Sequence, residues 1–422
     1  MNTRIADPGS ARLAGVDLHA LAAREGTPLY AYDAHALDAR IDALRDGLHG
    51  RRARVCYAVK ANSNRALLAR IAAAGLGADI VSEGELRRAL AAGFRASDIV
   101  FSGVGKTRME IAAALEAGVG RFNAESREEL GLLDALAAER GQVACVALRI
   151  NPDVDALTHA KISTGKAENK FGIALDPARA IFREATRWPA LRIDGLHAHI
   201  GSQLLSLDPI REAMARVAVF AGELRASGTA LRSIDVGGGL GVCYREGQDH
   251  PPALSDYLAT VFAAFDGFEG ELVFEPGRWL VAEAGYLLAR VVRVKQGSSR
   301  CFLVLDAAMN DLIRPSLYEA WHDIVSLVPQ DRPMRVYDVV GPVCETGDTF
   351  ARDRALAEVE EGDLVVLCGA GAYGMSMAST YNSRPLPAEV LLESGGYQLI
   401  RRRQTWEEMT AGECAPLERG TA

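Results

Sequence analysis

The sequence predicts an α/β fold, a (β/α)8 barrel joined to a β-rich, sandwich-like or barrel-like second domain. Between residues 50 and 280, short apolar runs of β-forming residues alternate with longer segments rich in Ala, Leu, Glu and Arg. This alternation indicates parallel strands joined by right-handed helical crossovers. After about residue 285, strand-like runs follow one another with turn residues between them and few helical stretches, which is typical of a separate β-rich domain.

Eight apolar runs are candidates for the barrel strands. The intervening helical segments, such as "RALLARIAAAG" and "EGELRRALAAG", each end in a glycine, a common signal at helix C-termini. Eight units are the number that closes a barrel, although the repeat alone leaves an open doubly wound sheet as an alternative. The runs are "VCYAV" (55–59), "ADIV" (78–81), "IVFS" (99–102), "RFN" (121–123), "ACVALRI" (144–150), "IDGLHAHI" (193–200), "SIDV" (233–236) and "LVFE" (272–275).

The second domain is predicted to be discontinuous in the chain. Its strand candidates are "YLLARVVRVKQ", "RCFLVLDA", "MRVYDVVGPV" and "DLVVLCG". The early segment "TPLYAYD" (27–33) is also strand-like and is expected to join them. We therefore expect a barrel over residues 34–284 and a β-rich domain formed by residues 1–33 and 285–422.

Composition and charge exclude several classes of protein. Hydrophobic residues make up 49% and charged residues 24% of the chain, as in ordinary globular proteins. The net charge is −8 and no long block of Lys and Arg occurs, so neither a nucleic-acid partner nor a membrane partner is expected. Seven scattered cysteines form no CxxC pair, which argues against a disulfide framework and a structural metal site. With no signal-like apolar region near Met1, the sequence predicts a cytoplasmic protein.

Polar residues cluster where the predicted barrel strands end. In barrel enzymes the catalytic groups lie at the C-terminal ends of the strands, so these side chains are expected to share one rim. The residues are Lys60, Asp79, Arg149, Asn151, His199, Gly201, Ser202, Asp235, the "GGGLG" segment (237–241), Glu275, Pro276, Gly277 and Arg278.

Each of these residues has an ordinary structural explanation when it is taken alone. A strand-end lysine is most often a solvated cap, a single histidine is most often structural, and three glycines can simply turn a corner. Together they indicate pyridoxal phosphate. The apolar run before Lys60 predicts a partly desolvated amine, which favours Schiff-base chemistry. The glycine loop can hold the phosphate, His199 offers a flat ring, and Glu275 can protonate the pyridine nitrogen.

Seven motifs also carry a resemblance to a known family. They are "YAVKAN", "HAHIGSQ", "DVGGGLG", "FEPGRWLV", "LIRPSLY", "CETGD" and "GAYGMSMASTYNSRP". In this order, from about residue 25 to 410, the chain resembles the diaminopimelate decarboxylase family, within the alanine-racemase-fold group of pyridoxal-phosphate decarboxylases. The set as a whole is specific, whereas the lysine motif alone is shared with ornithine and arginine decarboxylases.

The resemblance implies roles for individual residues. Lys60 would carry the cofactor, Asp79 would orient it, His199 would stack on its face, and Glu275 would pair with its ring nitrogen. Cys344 would be the second catalytic residue, as proton donor. The implied cofactor-binding set is Lys60, Asp79, His199, Ser202, Gly237, Gly238, Gly239, Glu275, Pro276, Gly277, Arg278 and Tyr373. The implied substrate contacts are Arg278, Arg314, Tyr318, Glu345 and Tyr373.

The resemblance also implies a reaction and an assembly. The reaction is decarboxylation of meso-2,6-diaminopimelate to L-lysine and CO2, the last step of lysine biosynthesis. Arg278 and Arg314 suit a substrate whose far end carries a carboxylate, because guanidinium groups bind carboxylates bidentately. In this family a partner subunit completes the site, so we expect a homodimer with shared active sites and Cys344 supplied across the interface.

Three other functions remain open at this point. A racemase of the same fold generally places an arginine opposite the pyridine nitrogen, where this chain has Glu275. A decarboxylase of another basic amino acid, such as ornithine, lysine or arginine, would not need the two arginines. A non-catalytic, decarboxylase-like regulator would be expected to have lost the lysine, the phosphate loop or the acid, all of which are present.

Overall fold

The computed structural model describes residues 11–155, 170–329 and 331–414. By backbone contacts it divides into two compact units, Leu37–Val281 and a second unit of Met1–Ala36 with Ala282–Ala422. The domain boundaries expected from the sequence, 34–284 for the barrel and 1–33 with 285–422 for the β-rich domain, stay a prediction, because a domain is defined by its ability to fold alone.

The strands and helices alternate in the first unit, whereas strands dominate the second. The strands are β1 (Arg12–Leu13), β2 (Val16–Asp17), β3 (Leu29–Asp33), β4 (Ala53–Ala58), β5 (Gly77–Ile80), β6 (Ile99–Phe101), β7 (Arg121–Ala124), β8 (Ala144–Arg149), β9 (Leu191–His197), β10 (Ser233–Asp235), β11 (Glu271–Phe274), β12 (Gly285–Gln296), β13 (Cys301–Leu305), β14 (Ile324–Ser326), β15 (Met334–Val340), β16 (Thr349–Ala357), β17 (Leu364–Leu367), β18 (Ala388–Glu393) and β19 (Gly396–Arg401). The helices are α1 (Leu18–Glu25), α2 (Ala34–Leu48), α3 (Arg65–Ala73), α4 (Glu83–Ala91), α5 (Arg108–Ala117), α6 (Arg127–Glu139), α7 (Leu175–Arg183), α8 (Asp208–Ala226), α9 (Leu254–Ala264), α10 (Arg278–Val281), α11 (Arg314–Tyr318) and α12 (Trp406–Thr410).

Eight parallel strands, β4 to β11, close into a barrel. The closing pair is β11 with β4, where Leu272 lies opposite Ala53. All eight strands were predicted, and closure shows that the open-sheet alternative is wrong. Cys56, Val100 and Val273 fill the barrel interior as a fully buried apolar layer, as expected for a packed core rather than a pore.

Polar caps start the helices that lead away from the barrel rim. The Asn64 side chain accepts a hydrogen bond from Ala66 N at the start of α3, and Ser82 accepts one from Glu85 N at the start of α4. Each cap satisfies a backbone donor that the helix itself cannot, which typically contributes about 1 kcal/mol. The chain therefore turns from strand to helix within a few residues, and the rim residues lie on these short turns.

The second unit is built on a mixed sheet. The main strand order is β16-β15-β13-β12-β3-β18-β19, and β17 pairs with both β12 and β14. The predicted early strand is confirmed, since β3 pairs with β12 on one side and with β18 on the other. Its alternate residues Leu29 and Ala31 are fully buried in an apolar core with Val366 and Val390.

Within residues 11–155, 170–329 and 331–414, none of the helices combines the length and the hydropathy that a bilayer crossing requires.

Candidate active site

Lys60 and Asp79 form an ion pair at the barrel rim. Asp79 lies on β5 opposite Ala58 of β4, and Lys60 follows two residues later in a short 3-10 turn. The Lys60 Nζ is 3.0 Å from Asp79 Oδ2. Burial and the charge of Glu275 raise the pKa of Asp79, while Lys60 opposes the shift. The Lys60 side chain is 42% exposed, so the amine is only partly desolvated.

Glu275 directly follows strand β11 and is buried together with its partners. Its Oε2 lies 3.2 Å from His197 Nε2, and its Oε1 lies 3.4 Å from Asn123 Nδ2. Burial disfavours the charged form, but the charge and hydrogen bond of His197 outweigh it, and the charge of Lys60 adds to their effect. Together they hold the pKa of Glu275 well below its ordinary value. The site therefore contains a buried acid that stays ionised.

The glycine loop after β10 is tied to this acid through the backbone. Glu275 N donates to Gly237 O at 2.7 Å. A Cβ at Gly238 would lie 2.2 Å from the Glu275 carbonyl oxygen, so only glycine allows the loop to approach strand β11 this closely. Gly239 has φ +110°, a conformation that side chains rarely allow. These positions require glycine because of packing and backbone conformation.

His199 is half-buried beside the same loop. Its Nδ1 accepts a hydrogen bond from Gly238 N at 3.2 Å, which places the proton of the neutral ring on Nε2. Burial, with the positive charges of Arg149 and Lys60, lowers the pKa of His199 to about 3. The ring is therefore neutral near pH 7, as a group that stacks on an aromatic cofactor should be.

Arg278 and Ser202 meet on the next turn of the rim. The Nη2 and Nε atoms of Arg278 donate to Ser202 Oγ at 3.1 and 3.3 Å, and its Nη1 donates to Tyr244 Oη at 2.9 Å. The preceding Pro276 accepts a hydrogen bond from Ala58 N at 3.2 Å, which ties this turn to the strand before Lys60. Gly277 lies against the same turn, since a Cβ there would be 3.0 Å from that of Ala58.

The sequence analysis missed His197 and Asn123, two groups that contact Glu275. His197 lies two residues before His199, and side chains two apart on a strand point to the same side. In "HAHIGSQ" this spacing was available as a signal that both rings face the barrel interior. Asn123 ends the run "RFN", but its contact with Glu275 joins strands 152 residues apart and leaves no local pattern.

The remaining predicted residues belong to the second unit. Arg314 is buried at the start of α11, and its Nη1 lies 2.7 Å from His322 Nε2. His322 Nδ1 lies 2.8 Å from the carbonyl oxygen of Cys368, so Nδ1 carries the proton and Nε2 accepts from the guanidinium. Tyr318, which ends α11, is half-buried.

Cys344 and Glu345 lie on an exposed loop of this unit. Cys344 N donates to Asn382 Oδ1 at 3.4 Å, and Glu345 Oε1 accepts a hydrogen bond from Tyr381 Oη at 2.5 Å. Ser316 of α11 donates to Gly347 O at 2.6 Å, which joins this loop to the helix that carries Arg314. Tyr373, on another turn, is half-buried and has φ +56°.

The barrel rim fits pyridoxal phosphate. The glycine loop carries no side chains at Gly237 to Gly239, so a phosphate can approach its backbone. The ionised Glu275 is the acid that a pyridinium nitrogen requires, and the Lys60 amine lies on the same rim.

Comparisons with known proteins agree with this chemistry. Residues 35–282 match the family model described as the pyridoxal-dependent decarboxylase, pyridoxal binding domain. The chain is 50% identical over 399 residues to a diaminopimelate decarboxylase of Pseudomonas aeruginosa, which covers 94% of this chain and 95% of that protein. It superposes on a diaminopimelate decarboxylase of Helicobacter pylori complexed with L-lysine with TM-score 0.90, at 43% identity over 93% of this chain and 98% of the other. A diaminopimelate decarboxylase of M. jannaschii in co-complex with L-lysine gives TM-score 0.91 at 37% identity, over 96% of each chain.

Proposed function

Because this chain belongs to the diaminopimelate decarboxylase family, we propose that its barrel rim is the catalytic site of a pyridoxal-phosphate-dependent decarboxylase. The enzyme converts meso-2,6-diaminopimelate to L-lysine and CO2, the last step of lysine biosynthesis. The observation that carries the assignment of the site is the buried Glu275, whose Oε2 lies 3.2 Å from His197 Nε2 on the rim that also carries Lys60.

Bound pyridoxal phosphate supplies an electron sink for the carbanion that remains when CO2 leaves. Lys60 would hold the aldehyde carbon of the cofactor, and Asp79 at 3.0 Å fixes the direction of its amine. The backbone of the glycine loop at Gly239, with Ser202 and Gly277, would hold the phosphate, since the N–H groups of Gly237 and Gly238 already donate to Asp235 and His199. His199, as a neutral imidazole, would lie against the ring. Tyr373 is proposed as a further contact of the cofactor.

Glu275 distinguishes decarboxylation from racemisation. Its negative charge favours a protonated ring nitrogen, which maximises the withdrawal of electrons from the reacting carbon. An arginine at this place would leave the nitrogen unprotonated and weaken that withdrawal. The donors around Glu275 keep its charge in spite of burial, which supports the decarboxylase assignment.

Specificity for the far end of the substrate is assigned to Arg278, Arg314, Tyr318 and Glu345. The His322 ring holds Arg314 in one orientation, and a fixed guanidinium binds a carboxylate bidentately. Glu345, whose position is set by Tyr381, would accept the far ammonium group. A substrate with both groups at its far end satisfies this set, whereas ornithine or lysine would leave Arg314 facing no carboxylate.

Cys344 is the proposed proton donor, because the carbanion must be protonated after CO2 leaves. The thiol is carried by an exposed segment, and we propose that it enters the site of a partner subunit in a homodimer. Action in the cytoplasm stays a prediction from the composition.

A substrate panel tests this function. Release of CO2 should be measured with the meso, LL and DD isomers of diaminopimelate, and with ornithine, lysine and arginine. We expect rapid release from the meso isomer and at least a hundredfold lower kcat/KM for the monocarboxylic amino acids, because a buried arginine without its anion costs several kcal/mol. Comparable activity with ornithine or lysine would contradict the substrate assignment, while leaving the cofactor site intact.

A further inference from the structure

Three buried ionisable groups surround the floor of the site. Within the described residues, one ligand-type atom from each of His197, Asp235 and Glu275 lies within 4.8 Å of the others. Such a set can bind a metal ion, but hydrogen bonds already occupy it. Glu275 is bonded to His197, and Asp235 Oδ1 accepts from Gly237 N at 2.9 Å. Two buried carboxyl groups, those of Asp235 and Glu275, therefore lie close together in one small volume.

Two adjacent carboxylates cannot hydrogen bond to each other unless one of them carries a proton. Asp235 Oδ2 is buried and, within the described part of the chain, has no hydrogen-bond partner, which is costly for a charged oxygen. A proton on Asp235 would remove this cost, because a neutral carboxyl could donate to Glu275. A proton on this oxygen would give it a hydrogen bond to Glu275.

The neighbours decide which of the two carboxyls keeps the proton. Glu275 receives donors from His197 and, at longer range, from Asn123, and both favour its charged form. Asp235 receives a single backbone donor, from Gly237. Burial raises the pKa of Asp235 well above its ordinary value, and the charge of Glu275 raises it further. The proton of the pair therefore resides on Asp235.

In the described part of the chain, the lysine and arginine near this pair of carboxyls are each engaged with another acid. The titratable groups that interact with Asp235 or Glu275 are Asp79 on β5, Lys60 after β4, Cys56 and Arg54 on β4, His197 on β9, His199 after β9 and Tyr257 on α9. Lys60 is already paired with Asp79, and Arg54 with Glu271 at 3.2 Å. A charged Asp235 would make a third buried carboxylate beside Asp79 and Glu275.

We propose that Asp235 is a neutral positioning residue, which donates a hydrogen bond from its protonated carboxyl to Glu275 and holds Gly237 with its other oxygen. One side chain thereby joins the acid that faces the cofactor ring to the loop that holds the cofactor phosphate. The catalytic meaning of this link rests on the proposed function of Glu275, but the protonation of Asp235 does not.

Infrared spectroscopy of the holoenzyme tests the protonation directly. Enzyme labelled with 13C at the aspartate side-chain carboxyl should show an isotope-sensitive band of a neutral carboxyl at pH 8, and Asp235→Asn should lose this band. Asp79→Asn is the matched control, since Asp79 lies on the same rim, and it should retain the band. Absence of the band in the parent enzyme, or its persistence in Asp235→Asn, would overturn the proposal whatever substrate the enzyme uses.

Cofactor affinity tests the positioning role. Asn keeps a neutral donor and an acceptor, so Asp235→Asn should fold and bind pyridoxal phosphate within about threefold of the parent affinity, measured by fluorescence titration of the apoenzyme. Asp235→Ala removes the donor to Glu275 and the acceptor for Gly237, and should weaken binding at least tenfold. An Asn variant that fails to fold, or that binds as weakly as the Ala variant, would show that position 235 requires a charge. An Ala variant with parent affinity would contradict the link.

Discussion

At the scale of single residues, the charge of Glu275 is kept by its donors and not by solvent. The side chain is 5% exposed, and His197 Nε2 at 3.2 Å supplies the main interaction that offsets burial. A buried carboxylate that lost this partner would be expected to take up a proton, because burial disfavours the charged form. The negative charge that the cofactor ring nitrogen requires therefore depends on two side chains, Glu275 and His197.

Glu275→Gln should retain the cofactor but lower kcat by roughly two to three orders of magnitude, since one oriented charge in such a site typically contributes a few kcal/mol. The amide cannot carry the negative charge that favours a protonated ring nitrogen. Cofactor content by absorbance and initial rates of CO2 release measure the two effects separately. Glu271→Gln, on the same strand at the opposite end of the barrel, is the control and should keep the parent rate. A Glu275→Gln enzyme with the parent rate would show that the charge of Glu275 is not needed for the reaction.

A second acid near the rim should make folding stability depend on pH. Burial raises the pKa of Glu85 to about 7, against the hydrogen bond that it accepts from Val81 N. The folded chain thus holds this proton more tightly than the unfolded chain, whose glutamates have a pKa of about 4.3. The stabilising contribution is present below pH ~4.3 and is lost as pH rises to about 7.

Glu85→Gln should therefore raise the thermal midpoint at pH 8 and leave it nearly unchanged at pH 4.5. Glutamine keeps an oxygen for Val81 N without a charge to bury. Scanning calorimetry at both pH values measures the difference, with Glu116→Gln, on helix α5, as the control for removal of an acid. Equal shifts at the two pH values would show that the Glu85 carboxyl titrates normally.

The site residues that could not be predicted from the sequence are those whose role depends on a partner distant in the chain. Lys60, Asp79 and Glu275 lie at or just after the ends of barrel strands, and a barrel brings these ends together. The contact of Asn123 with Glu275 depends on the register and tilt of strands that are not adjacent. Local sequence carries neither quantity, so the contact of Asn123 with Glu275 became visible only in three dimensions.

At the scale of elements, the loop after β10 depends on the close approach of two backbones. Gly238→Ala would bring a Cβ to within 2.2 Å of the Glu275 carbonyl, so the loop must shift away from strand β11. We expect at least tenfold weaker cofactor binding, because the backbone donors move with the loop. Gly222→Ala is the control: it lies exposed in helix α8 with open space around its Cβ position, and it should stabilise the protein by about 1 kcal/mol. Unchanged cofactor affinity in Gly238→Ala would mean that the loop does not hold the phosphate.

Burial pattern accounts for most of the strands that were predicted or missed, although β18, which is buried except at Glu393, was also missed. All eight barrel strands are buried on both faces and appear as short apolar runs between helical segments. In the second unit, β16 reads "TFARDRALA", where Arg and Asp interrupt the apolar residues, and it was missed. Strand β14 has only three residues, and β19 is mostly exposed. Such edge and mixed strands are defined by their neighbours' hydrogen bonds, which a single sequence does not display.

At the scale of the whole molecule, the assignment of Cys344 implies an assembly with shared sites. The residue is exposed, and its backbone is held by Asn382, so the thiol is presented on an ordered surface. A closed symmetric dimer gives each subunit the same contact twice, and each site can then combine residues of two chains. The proposal therefore predicts complementation between two variants that are inactive alone.

Lys60→Ala and Cys344→Ala, each inactive by itself, should recover activity when mixed under conditions that allow subunit exchange. In a hybrid dimer one site receives an intact lysine from one chain and an intact cysteine from the other, and the second site receives neither. With random exchange half of the dimers are hybrids, so activity should return to about a quarter of the parent value.

Two differently tagged samples of Lys60→Ala, mixed in the same way, should stay inactive, and co-purification of the tags confirms exchange. If both residues came from one chain, no hybrid site would be complete, so inactivity with proven exchange would refute the shared site. A Cys344→Ala enzyme that keeps most of its activity alone would refute the thiol as the proton donor, because another group would then return the proton to carbon.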